Sequence, residues 1–92
     1  MIISFSCKET EKIYTGSSSR RWRDIRNVVE RKLQLLDSAA TLDALRSPPG
    51  NRLEALSGDR AGQHSIRINK QWRICFIWSD AGVYNVEVTD YH

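Results

Sequence analysis

Nine arginines and two lysines crowd two short stretches of this chain, and they are the side chains best equipped for chemistry. Residues 20 to 32 hold Arg20, Arg21, Arg23, Arg26, Arg31 and Lys32 against only Asp24 and Glu30. Residues 52 to 73 hold Arg52, Arg60, Arg67, Lys70 and Arg73 against Glu54 and Asp59. After Arg73 there is no Lys or Arg, only Asp80, Glu87 and Asp90, and the net charge is +3. A guanidinium fork grips phosphate oxygens through paired hydrogen bonds, which an ammonium cannot do, so this distribution points to a phosphate-bearing partner rather than to solubility alone. The two imidazoles, His64 and His92, add the side chain whose unperturbed pKa of ~6.5 lets it give or take a proton near neutrality. Cys7 and Cys75 are the only cysteines. Without a C-x-x-C pair they read as small buried apolar residues in a reducing compartment, and no metal site can be assembled from ligand spacing.

These groups must be carried by little scaffold. A chain of 92 residues has room for one domain, 1–92, around one core, with no separate cofactor-binding unit. Met1 to Lys8 lacks the long apolar core of a signal peptide, and no apolar run nears the ~20 residues of a membrane span. A cytoplasmic protein with no membrane partner is expected.

Ile3, Phe5 and Cys7 alternate with Ser4 and Ser6, predicting a short strand. Glu9 to Thr15 can make two helical turns, stopped by Gly16, with Ser17-Ser18-Ser19 as a loop before the next helix. From about Arg20 to Ser38, Trp22, Ile25, Val29, Leu33 and Leu36 fall on one helical stripe, widened by Val28 and Leu35. Arg20, Arg23, Asn27, Arg31 and Gln34 take the other side. Thr41 to Arg46 is a further short helical stretch, ended by Pro48-Pro49-Gly50. Beyond that point the period becomes strand-like: Ser65 to Ile68, a turn at Asn69-Lys70-Gln71, Trp72 to Trp78, a turn at Ser79-Asp80-Ala81-Gly82, and Val83 to about Asp90. On the second strand Trp72, Ile74, Phe76 and Trp78 share one face; Tyr84, Val86 and Val88 share a face of the third. The expected fold class is α+β: an N-terminal strand and two to three helices packed on a three- or four-stranded, mainly antiparallel sheet.

The block from Leu53-Glu54-Ala55-Leu56-Ser57-Gly58-Asp59-Arg60 through Ser65-Ile66-Arg67-Ile68-Asn69-Lys70-Gln71-Trp72-Arg73-Ile74-Cys75-Phe76 resembles the central motif of HigB toxins, of the RelE/ParE toxin–antitoxin superfamily. The final Asp90-Tyr91-His92 is similar to the way many HigB chains end. The order of elements agrees, so the resemblance spans the domain. It implies a RelE-like microbial RNase fold and a ribosome-dependent endoribonuclease that cuts mRNA in the decoding site without a cofactor. It also implies neutralisation by a HigA-like helix-turn-helix antitoxin, with operator DNA contacted only through the antitoxin complex.

RNA cleavage without metal needs a base for the 2′-hydroxyl, a cation on the phosphate oxygens and an acid for the leaving 5′-oxygen. Under this resemblance His92 is the candidate acid, the alternative being a frayed chain end, and Arg73 the candidate clamp, the alternative being a cation on a solvent-facing strand. Many HigB chains carry His-Pro where this one has Glu54-Ala55. The related toxin YoeB uses a glutamate at the corresponding place, so Glu54 is the candidate base, or else a surface carboxylate paired with Arg52 or Arg60. Asp90 orients an imidazole or ends the strand. Tyr91 stacks on an RNA base or packs in the core. Arg60 and Arg67 are candidate phosphate holders, Lys70 a weaker one, and His64 reads as structural. Because ParE relatives poison DNA gyrase on the same scaffold, a gyrase poison remains an alternative, as does a non-catalytic nucleic-acid-binding regulator.

Overall fold

A computed structural model describes residues 1–17 and 20–90. Helix α1 (Lys8–Tyr14) has Glu9 and Glu11 in its first turn and Lys12 in its last, a distribution that suits the helix dipole. It buries Ile13 and Thr10. The Thr10 hydroxyl accepts the Val88 backbone N–H at 3.0 Å, so the helix satisfies a donor on the outer edge of the sheet.

The expected helix from Arg20 to Ser38 is shorter. A 3-10 turn over Arg23–Ile25 leads into helix α2 (Arg26–Ser38), whose Val29, Leu33 and Leu36 are fully buried. Trp22 lies outside it in the left-handed region, with φ 59° and ψ 31°. This conformation costs a bulky L-residue about 1–2 kcal/mol. The indole is nevertheless buried, meeting Trp72 edge-on with ring centroids 5.8 Å apart. The periodic stripe identified Trp22 as a core residue correctly but placed it on the wrong element, because a buried aromatic looks alike in a helix and in the loop that leads to one.

The sheet is four-stranded and antiparallel, in the order β1 (Glu54–Ala55), β2 (His64–Arg67), β3 (Trp72–Ser79), β4 (Gly82–Asp90). With two α-helices against it, this is the α+β architecture the sequence predicts. Ile66, Ile74, Phe76, Val83, Val86 and Val88 face the helices and form the core with Ile13, Val29, Leu33, Leu36 and Leu45. Cys75 pairs with Glu87 but Ile77 pairs with Tyr84, so β4 carries one extra residue between these pairs. Asn85, at φ 55°, sits in that bulge. The bulge reverses the alternation: Val83 joins Val86 and Val88 in the core, and Tyr84, expected on their face, lies opposite Ile77 instead.

The same bulge explains a second departure. The N-terminal segment does not form the expected strand over Ile3 to Cys7. It runs parallel to β4 through isolated bridges, Ile2 to Val83 and Phe5 to Val86, on either side of the interruption. Ile2 is buried and Ile3 is 45% exposed, so the buried residue is one place earlier than the alternation suggested. The Asp37 carboxylate of α2 fixes the start of the segment by accepting the Ile2 N–H at 2.8 Å.

The Pro48-Pro49-Gly50 stretch turns through a 3-10 segment, Pro49–Asn51. Asn51 is fully buried; its amide donates to the carbonyls of Leu45 (3.1 Å) and Ser47 (3.2 Å), and its oxygen accepts from Lys32 Nζ. Among the described residues, no helix is long and apolar enough to cross a membrane.

Candidate active site

Helices cover one face of the sheet; Ser65, Arg67, Arg73, Cys75, Glu87 and Thr89 belong to the other, by alternation and register. Arg73 is the central feature of that helix-free face. Only 8% of it is exposed, a rare degree of burial for a guanidinium. Its Nε donates to the Ser65 hydroxyl at 2.7 Å, and its Nη2 donates to the Arg52 carbonyl at 2.6 Å and more weakly to the Ser65 carbonyl at 3.4 Å. Arg52 presents its carbonyl from a left-handed conformation, φ 45° and ψ 58°, immediately after the turn that Asn51 organises. Arg73 is therefore no solvent-facing strand cation. It is a guanidinium braced along one edge, and among the described residues its Nη1 has no hydrogen-bond partner.

Glu54 faces it from β1, in register with Ser65. The Glu54 Oε2 is 3.9 Å from Arg73 Nη2, too long for a hydrogen bond, and the side chain is half exposed. Its cation is thus Arg73, not the Arg52 or Arg60 considered as partners from sequence. A carboxylate held this loosely keeps its lone pairs available for a proton.

Between them lies a cleft of about 280 Å³ lined by Arg52, Glu54, Arg67, Asn69, Lys70 and Arg73. Four cations thus surround one carboxylate. Arg67 and Arg73 stand directly opposite each other on β2 and β3, an arrangement of like charges that destabilises a sheet unless an anion lies between or above them. Arg67 is further fixed by donating from Nε to the Asn69 carbonyl at 3.0 Å. The Asn69 side chain accepts from the N–H groups of Gln71 and Trp72, both at 2.8 Å, which shapes the β2–β3 turn.

The remaining candidates fall elsewhere. Arg60 donates to Glu87 at 2.8 Å and to Gln63 at 3.0 Å, and does not line the cleft. Cys75 lies under this neutralised end of the face, where burial pushes its thiol pKa up, against opposing effects from Arg60, Thr89 and Arg73. Asp90 pairs with Trp72, one position along from Arg73, and accepts from the Gln71 amide at 3.1 Å. It therefore sits beside the β2–β3 turn rather than in the cleft. Tyr91 and His92 lie outside the described residues. The His64 ring is stacked on Phe76 with centroids 6.3 Å apart.

Sequence reasoning missed Ser65, Arg52 and Asn69. A serine between His64 and Ile66 in a strand was a usable signal for Ser65, once Arg73 was placed on the next strand. Arg52 was legible only as one cation of the basic block; no signal could reveal its brace on Arg73, which is a backbone carbonyl in a left-handed turn.

Two helices over a four-stranded antiparallel sheet, with a basic cleft on the helix-free face, make up a RelE-like fold. YoeB–YefM complexes from Staphylococcus aureus contain a chain that superposes with a TM-score of 0.62 at 18% identity, over 100% of this chain and 95% of that one. At that identity the likeness concerns the fold alone. Sequence carries the assignment further. The profile of the RelE-like toxin of type II toxin-antitoxin system HigB matches residues 4–92. Toxin HigB-1 of Vibrio cholerae serotype O1 is 41% identical over 87 residues, covering 92% of each chain. Endoribonuclease HigB of Proteus vulgaris is 33% identical over 94 residues, covering 100% of each. The chain belongs to the HigB family of type II toxins.

Proposed function

We propose that this toxin is an endoribonuclease that cuts messenger RNA on the ribosome by acid–base transesterification, with its chemistry centred on Glu54 and Arg73. The observation that carries the reading is the cleft in which four cations surround one loosely held carboxylate. A phosphodiester drawn between Arg73, Arg67 and Lys70 would have its oxygens neutralised by donors already in place, where such contacts are most effective. Glu54 takes the proton from the 2′-hydroxyl. The 2′-oxygen bonds to phosphorus, the bond to the 5′-oxygen breaks, and that oxygen leaves with a proton from the acid. The products are a 2′,3′-cyclic phosphate, open to hydrolysis to a 3′-phosphate, and a 5′-hydroxyl. His92 is assigned as the acid from its imidazole chemistry, with Tyr91 beside it as the group that stacks on a base. Asp90 holds the end of β4 against Gln71. The partner that neutralises the toxin is proposed to be a HigA-like helix-turn-helix protein, which alone would touch operator DNA. The name borne by the Proteus vulgaris relative supports the nuclease reading.

The test is primer extension on a message translated in vitro, with wild type, Arg73→Ala, Glu54→Gln and a chain lacking His92. Wild type should produce discrete cuts. Arg73→Ala should slow them roughly 10²–10³-fold, as loss of a transition-state charge contact does. An uncut message would overturn the reading, and near-normal cutting by Arg73→Ala would remove that residue from the site.

A further inference from the structure

A second basic cleft lies on the other side of the β2–β3 turn. It encloses about 540 Å³, and its walls include Arg20, Arg21, Arg23, Trp22, Trp72 and Asn69. Asn69 also lines the Glu54–Arg73 cleft, so the two depressions share a wall.

Three features set this cleft apart from a solvated run of arginines. Trp22 is held at φ 59° to put its indole there, a conformation that an aromatic residue seldom adopts. The indole Nε1 is buried without a hydrogen-bond partner. Each is a cost to the folded chain, and such costs gather at ligand-binding positions. The third feature is the placement of charge. The Arg21 guanidinium stands 4.7 Å from the centroid of the Trp22 ring, while Arg20 and Arg23 are exposed beside it. Asp24 is the one acid among the lining residues. Half-buried Trp72 adds aromatic surface at the end nearest β3. Guanidinium groups for phosphates beside aromatic rings for bases are the two elements with which proteins hold single-stranded RNA.

We propose that this cleft is a second RNA subsite, holding a nucleotide that flanks the cut linkage on the strand engaged by Glu54 and Arg73, with Arg20 and Arg23 on its phosphate and the half-buried Trp72 ring, backed by Trp22, beneath its base. The inference rests on the nuclease reading of the first cleft. It adds a footprint: the strand bends over Asn69 and is gripped on both sides of the turn.

The experiment measures binding of 2′-O-methyl oligoribonucleotides, which lack the attacking hydroxyl, by intrinsic tryptophan fluorescence at low salt. A dinucleotide can fill only one cleft; a tetranucleotide can reach both. The tetranucleotide should bind at least about tenfold more tightly than the dinucleotide. In the Arg20→Ala/Arg23→Ala double variant that advantage should vanish, and the log–log salt slope should flatten by about 0.7, the value for one phosphate no longer neutralised on a single strand. Both side chains are exposed, so circular dichroism should confirm an unchanged fold. The proposal is overturned if wild type binds neither oligonucleotide, if the double variant keeps the length advantage, or if inorganic tripolyphosphate displaces the tetranucleotide as well as unlabelled RNA does. The same preparations are assayed for message cleavage. A length advantage without cleavage supports the cleft and counts against the nuclease reading; cleavage without a length advantage does the reverse.

Discussion

Replacing Ser65 with alanine isolates what holds Arg73 in place. The serine is fully buried, and its hydroxyl accepts the Nε–H of a guanidinium that is itself 8% exposed. The change deletes one oxygen, adds no bulk and leaves Glu54, Arg67 and the Arg52 carbonyl untouched. A hydrogen bond to a charged donor contributes about 1.5–3 kcal/mol. The lower figure applies here, because water admitted from the adjoining cleft can replace the lost acceptor. About 1.5 kcal/mol corresponds to a fall in Tm of roughly 6–12 °C in a domain of this size. If the bond also aims the fork at a developing phosphorane, losing the same energy in the transition state alone would slow cleavage about tenfold, since ~1.4 kcal/mol is one decade. The loss should appear in kcat with KM nearly unchanged, because RNA is still drawn in by the other cations. Thermal unfolding and single-turnover cleavage on a translated message check the two halves separately. A variant that melts early yet cuts at the wild-type rate would show that Ser65 is only structural. One that neither melts early nor slows would refute the buried hydrogen bond itself.

Other perturbations follow from the same geometry. Asn51→Ala removes the amide that satisfies the Leu45 and Ser47 carbonyls and the oxygen that receives Lys32. Denaturant unfolding should show a loss of about 2–3 kcal/mol for these buried groups, and cleavage should fall as well, because Arg52 follows directly and its carbonyl braces Arg73. Gly82→Ala should destabilise by about 1–3 kcal/mol, measured as Tm: φ is 154°, and a Cβ there would meet Ile3 Cγ1 at 2.4 Å and the Met1 carbonyl at 3.0 Å. Normal stability would mean the N-terminal segment is not pinned against β4. Cys75, fully buried and with its thiol pKa raised first by burial, should resist iodoacetamide at neutral pH in the folded toxin and react on denaturation. Because its folded pKa lies above that of an ordinary thiol, the associated stability is present below the ordinary thiol pKa and is lost as pH rises through the folded value. Cys75→Ser should flatten that alkaline loss.

Much of this molecule could be read from its residues, and the failures have physical causes. Apolar periodicity placed α2, both hairpins and the core residues Val29, Leu33, Leu36, Ile74 and Phe76, since burial imposes a period that composition alone would not. It misplaced Tyr84, because a single left-handed residue, Asn85, shifts the alternation by one and leaves no mark in hydropathy. It lengthened α2 through Trp22 for a similar reason: the residue is buried, and its left-handed backbone is not a property of tryptophan. Of the candidate site, Glu54, Arg67, Lys70 and Arg73 were legible as charged side chains in a recognisable block, and the fold gathers all four around one cleft. Arg60 was legible too but belongs to the pair with Glu87. Residue type cannot say whether an arginine meets an acid in the fold; the path of the turn that carries Arg60 back to β4 decides that.

That last distinction separates scaffold from site on this helix-free face. At one end Arg60 is matched by Glu87 at 2.8 Å over the buried Cys75, so charge is cancelled and the arrangement is complete within the protein. At the other end Arg67 opposes Arg73 across the ladder with Arg52 and Lys70 nearby, and Glu54 balances one of the four charges from 3.9 Å. Both ends use arginine and glutamate on the same side of the sheet. The first resembles an interior ion pair; the second is electrostatically unfinished, held against its own repulsion by the Ser65 and Arg52 oxygens. Bringing a phosphate to that end would relieve like-charge repulsion already built into the folded chain, which is the physical ground for proposing the reaction there rather than at the Arg60 end.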